Sequence, residues 1–160
     1  MKIDGPTRES VRHIVDNMRQ SDIDEFQAVS AVENVDMLRD LLVERYGEHP
    51  DGFCFLANDG APIGAGAMIQ ARPNVVTLMF FATEAFVSIA NPLARFTKQR
   101  LFPRYRDAGV HRIECVSMAG YTAMHRWIRM VGLEEEAVMK GYGRNGETFH
   151  QFAWVRDDVR

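Results

Sequence analysis

Few side chains in this 160-residue sequence stand where a reaction would need them. Glu84 follows the apolar run VVTLMFFAT, where its carboxylate could accept a proton at the end of a strand. Tyr121 directly precedes TAMHRWIRMV; its phenol could give up a proton, or it could cap a helix against a sheet. Ser88, Asn91 and Arg95 are the polar side chains of the otherwise apolar stretch FVSIANPLARF. The acids Glu134, Glu135 and Glu136 straddle a strand start and read as a solvated edge. The histidines at 13, 49, 111, 125 and 150 never fall at metal-ligand spacing, so no metal site is expected. Cys54 in GFCFLA and Cys115 in HRIECVSM sit in apolar runs and read as buried reduced thiols.

The elements that must position these groups can be read from spacing. After the short apolar start KIDG, Thr7 caps a helix whose Val11, Ile14, Val15 and Met18 share one face. Ser21 and Asp24 stand as in a capping box, which predicts a short helix from Ser21 with Ile23, Phe26 and Val29 inward. Asn34 caps a third helix carrying Met37, Leu38, Leu41, Leu42 and Tyr46, ended by Gly47 and Pro50. GFCFLA, PIGAGAMIQ and VVTLMFFA, joined by NDGA and ARPN, make an antiparallel meander. Asn91 and Pro92 read as an N-cap and first turn, opening a helix with Leu93, Phe96, Leu101 and Tyr105 inward and a kink at Pro103. The strand HRIECVSM, a helix ended by Gly132, and two strands joined at Asn145 and Gly146 as a tight hairpin complete the order.

One domain over residues 1–160 is the expectation, because 46% hydrophobic residues can bury a core without disulfides or metal. Only the strands flanking the last two long helices need parallel crossovers. The expected fold is therefore α/β with a mixed, mostly antiparallel sheet of about six to seven strands flanked by helices. A formal charge of −3 gives no global pull toward nucleic acid or membrane. No apolar stretch approaches a bilayer span and MKIDGPTRES lacks a signal-peptide core, so the cytoplasm of the producing cell is the expected location.

This order resembles the acetyltransferase superfamily called GNAT over nearly the whole chain. AMHRWIRMVGL, residues 123–133, is similar to the family's penultimate helix and Gly-Phe ending, with Leu133 in place of Phe. NMRQSDIDEFQAV looks like the opening of the phage branch, in which an Arg-x-x-Asp pattern, here Arg19 to Asp22, joins the first two helices. TEAF, residues 83–86, resembles that branch as well. Its members include internal virion proteins of short-tailed phages, some of them named as acetyltransferases.

The resemblance implies acetyl-CoA as cofactor, and with it three needs: a cradle for pyrophosphate, stabilisation of the thioester oxyanion, and a route for protons. The family's phosphate loop is glycine-rich at a helix N-terminus. The matching stretch FVSIANPLARF has no glycine, and Pro92 would remove a donor, leaving Ser88, Asn91 and Arg95 as replacement contacts. The family's tyrosine, four residues before the Gly of the Gly-Phe ending, falls on Ile128, and its helix-opening asparagine falls on Tyr121. Tyr121 is then the candidate acid and Glu84 the candidate base.

The absent glycine and tyrosine favour a phage-type GNAT fold with degenerate chemistry, kept as a virion, assembly or binding protein. Trp127, Trp154 and the arginines 95, 100, 104 and 106 would supply an interface to other phage proteins or to a second copy. The alternative is an active acetyl-CoA-dependent N-acetyltransferase modifying an amine on a protein or small molecule, the leaving thiolate taking its proton from water. Nucleic-acid binding through Lys98, Arg100, Arg104 and Arg106 lacks a basic excess and aromatic interleaving.

Overall fold

The computed structural model describes residues 1–158. Seven strands form one sheet in the order β1-β2-β3-β4-β5-β7-β6, and the chain divides into two compact units, residues 1–68 with 79–89 and residues 69–78 with 90–160.

In the first unit β1 (Lys2–Asp4) pairs antiparallel with β2 (Gly52–Leu56), which pairs antiparallel with β3 (Pro62–Arg72). Three helices cover this part: α1 (Arg8–Asp16), α2 (Gln20–Val29) and α3 (Val35–Tyr46). Thr7 caps α1 as expected, its side chain accepting from Ser10 N while Ser10 Oγ accepts from Thr7 N. Asn34 caps α3 through Met37 N. Val11, Ile14, Val15 and Leu38 are fully buried, and the Phe81 ring stands edge-on to Phe26 at 5.8 Å and 5.6 Å from Tyr46. Gly66 admits no other residue: a Cβ there would come within 2.5 Å of the Met79 carbonyl and the Phe53 ring.

Two expectations fail here. α2 starts at Gln20 with Arg19 at the N-cap and no side-chain cap, so Ser21 and Asp24 form no box; Gln20 Nε2 donates to Asp24 instead. On α2 the buried positions are Asp22, Ile23 and Ala28, while Val29, like Met37 on α3, faces solvent. A buried aspartate, invisible to hydrophobic spacing, turned the helix.

In the second unit β5 (Arg112–Met118) pairs parallel with β4 (Val75–Ala82) over Val75–Thr77, and antiparallel with β7 (Phe149–Val155), whose other neighbour is β6 (Glu134–Met139). α6 (Thr122–Met130) buries Trp127, whose Nε1 donates to Ala90 O at 2.8 Å. The tight hairpin expected at Asn145 and Gly146 is a longer connection from 140 to 148. There Glu147 accepts from Asn145 N, and its backbone carbonyl accepts from Gly143 N. The GRNG turn exists, but it is the tip of a loop rather than the junction of two strands.

α4 (Phe86–Phe96) continues into a π-helical turn (Thr97–Leu101) and α5 (Phe102–Asp107). The expectation that Asn91 and Pro92 open this helix is overturned, since its first residue is Phe86, six before Pro92, and Pro92 lies inside it. Instead of a simple kink at Pro103 there is a widened turn: Phe102 N donates to Thr97 O, five residues back. Pro103 has no N–H for the carbonyl of Gln99, and its ring would collide with it in a regular helix; the wide turn displaces that carbonyl.

Candidate functional site

The end of β4 and the start of α4 are fixed by the turn between α1 and α2. Met18 bridges to Thr83, and Arg19 N donates to Ala82 O at 2.9 Å. The buried Asp22 carboxylate accepts from Ala82 N at 2.7 Å and from the Arg19 guanidinium at 2.7, 2.8 and 3.1 Å. Arg19 in turn lies 4.7 Å from the Phe86 ring centroid, so one arginine holds both the acid and the first residue of α4. Burial pushes the Asp22 carboxyl up while Arg19 and the Ala82 N–H pull it down, and Glu84 is close enough to raise it further. The Arg-x-x-Asp pattern read from sequence is thus a clamp on the strand end.

Only Thr83, Glu84 and Ala85 separate β4 from α4, and Glu84 is exposed there. The Phe86 and Ser88 amides donate to Thr83 O and Ala85 O, whereas Val87, 80% exposed, has no backbone acceptor for its N–H among the described residues. Ser88 Oγ donates to Ala85 O at 2.7 Å. α4 itself carries no acid, and Glu84, two residues before Phe86, is the one carboxylate of the β4–α4 turn at the positive end of this helix dipole. Ser88, expected ahead of the helix, and Asn91, expected at its N-cap, lie inside it with Arg95, and all three are exposed; their spacing of three and then four residues puts them on one stripe of α4. Pro92, seventh in the helix, takes no donor from the first turn.

Tyr121 stands at the N-cap of α6, half-buried, and its side chain makes no capping hydrogen bond. Ile128 is buried in the core. Trp154 lies under the Arg106 guanidinium at 4.0 Å, and burial lowers the Arg106 pKa.

Sequence reasoning missed a second group of titratable side chains. His125 is buried with its ring 4.9 Å from His150 and 5.1 Å from Phe152, and its Nε2 lies 3.0 Å from Met118 O. A carbonyl only accepts, so Nε2 carries the proton of the neutral ring. His150 Nδ1 donates to Glu135 at 2.9 Å, and Arg129 also pairs with Glu135. Burial is the largest cause lowering the His125 pKa, followed by the His150 charge. The pairing of β5 with β7, which sets His150 opposite Ser117, was the missing information.

This arrangement of seven strands and helices is the fold of the GNAT acetyltransferases. A GNAT-family acetyltransferase from Bacillus anthracis superposes with a TM-score of 0.71 at 11% identity, covering 96% of this chain and 93% of that one. A ribosomal-protein-alanine N-acetyltransferase from Brucella melitensis gives 0.66 at 16% identity, covering 97% and 99%. A Salmonella typhimurium protein described as an acetyltransferase, solved with its cofactor acetyl-CoA, gives 0.68 at 14% identity, covering 99% and 95%. No family model and no curated protein matches the sequence. The comparisons lend no support to the phage-type branch or to a virion role.

Proposed function

We propose that this protein is an acetyl-CoA-dependent N-acetyltransferase that modifies an amine on a protein or small molecule. The carrying observation is the β4–α4 junction: a GNAT fold in which the helix after the fourth strand starts with an acid-free turn that exposes Val87 and Ser88. The reading of degenerate chemistry rested on the absent glycine and tyrosine and on Pro92 removing a donor from that turn; Pro92 lies beyond the turn, while the glycine and tyrosine remain absent.

The residues present fit a pyrophosphate. The Val87 amide and the α4 dipole would face it, Asn91 and Arg95 would follow along the same stripe, and the Ser88 hydroxyl would turn from Ala85 O. Bound acetyl-CoA supplies an activated acyl group whose C–S bond breaks as the C–N bond to the amine forms. Glu84 takes the proton the amine loses. With isoleucine at 128, the Tyr121 phenol or water would give the proton to the departing thiolate. The clamp of Arg19 and Asp22 keeps the backbone of Ala82 in register, which positions Glu84 two residues on.

The test is thiol release from acetyl-CoA in the presence of peptide N-termini, lysine peptides and small amines. Glu84→Gln should lower turnover about 10²- to 10⁴-fold with the melting temperature unchanged. Undiminished turnover would remove Glu84 from the chemistry, and absence of thiol release with every amine would contradict the proposal.

A further inference from the structure

Charge is unevenly spread along this chain. Residues 95–106 hold five bases and no acid, while the other 148 residues hold the remaining 14 bases against all 22 acids, a net −8. Of the five, Arg106 is taken up by Trp154 and Arg95 belongs to the stripe described above. Lys98, Arg100 and Arg104 remain exposed, and no ion pair engages any of them among the described residues.

The π turn is what presents them. Thr97 and Leu101 are buried, and the three residues between them, Lys98, Gln99 and Arg100, all face solvent. Arg104, four residues after Arg100, continues the patch, its guanidinium 6.0 Å from the Tyr105 ring. From Lys98 to Arg104 the helix rises only about 10 Å. That is the length of roughly three residues of extended chain.

We infer that Lys98, Arg100 and Arg104 form a docking surface for a short acidic segment of a partner protein. Lys98 and Arg100 flank Gln99 on the outward side of the turn and Arg104 follows four residues after Arg100, so a run of carboxylates laid along this side meets three cations and no acid. Guanidinium groups pair bidentately with carboxylates, which a diffuse counter-ion would not need. A nucleic acid would extend past the patch over a surface whose net charge repels it. The inference goes beyond acetyl transfer and does not depend on it.

The test is fluorescence anisotropy of a labelled oligoglutamate peptide titrated with the protein at low salt, without coenzyme, beside a labelled oligothymidylate. The peptide should bind, bind more weakly as salt rises, and bind about tenfold more weakly to the triple variant Lys98→Gln, Arg100→Gln, Arg104→Gln. Circular dichroism should show that variant folded, since all three side chains are exposed. Equal binding by the variant, or no binding at low salt, overturns the inference. So does tighter binding of the oligothymidylate, which would assign the surface to nucleic acid.

Discussion

Asp22 is buried beside Arg19, and each neutralises the other away from water. Removing one partner leaves a bare charge in the interior, so Asp22→Ala should destabilise the protein by about 3–5 kcal/mol in denaturant unfolding. Replacing both, Arg19→Met with Asp22→Leu, should cost less than either single change; a double variant as unstable as the sum of the singles would contradict the clamp. His125 gives the second residue-scale expectation. Its pKa is lowered in the fold, so the unfolded chain binds a proton that the native state refuses. Stability contributed by the neutral ring is present above about pH 6.5 and is lost as pH falls from there toward the depressed native value. His125→Gln should flatten that loss; an unchanged pH profile of melting temperature would exclude His125 as its source. The Arg19-x-x-Asp22 pattern was legible in the sequence as a motif, but its target, the Ala82 amide sixty residues away, was not.

Among elements, the sheet and its order were the more legible part. The apolar runs of β2, β3 and β4 and the Thr7 and Asn34 caps are local signals, and each held. The start of α4 was misread because Asn91 and Pro92 imitate an N-cap and first helical residue, while the true start at Phe86 is fixed by tertiary contact with Arg19. The stripe of Ser88, Asn91 and Arg95 could not be recognised until that start was known. The loop before β7 was misread for a related reason: Gly146 does adopt a positive φ of 92°, but the residues around it bend back on Glu147 instead of entering strands. Packing within the sheet supplies a further test. Gly66→Ala must push a methyl group against the Met79 carbonyl and the Phe53 ring, so it should cost about 1–3 kcal/mol. An unchanged denaturation midpoint would mean that β3 and its neighbours can part without penalty.

For the molecule as a whole, identities of 11–16% to the three solved structures described above, with TM-scores of 0.66–0.71, show one fold built from very different side chains. The backbone logic survives because it rests on hydrophobic periodicity and turns, which many sequences satisfy; the site rests on single residues, which are not recoverable from periodicity. FVSIANPLARF holds no glycine and position 128 is an isoleucine, yet Val87 and Ser88 stand exposed at the start of α4 after β4. The central claim is therefore that this helix start holds the coenzyme. It is tested most directly by calorimetric titration of the purified protein with acetyl-CoA, with desulfo-CoA as a non-reacting control. Roughly micromolar binding of both, weakened at least several-fold by Arg95→Gln, is the expected result. No heat at high coenzyme concentration from a folded protein would contradict it, leaving a GNAT fold without its chemistry.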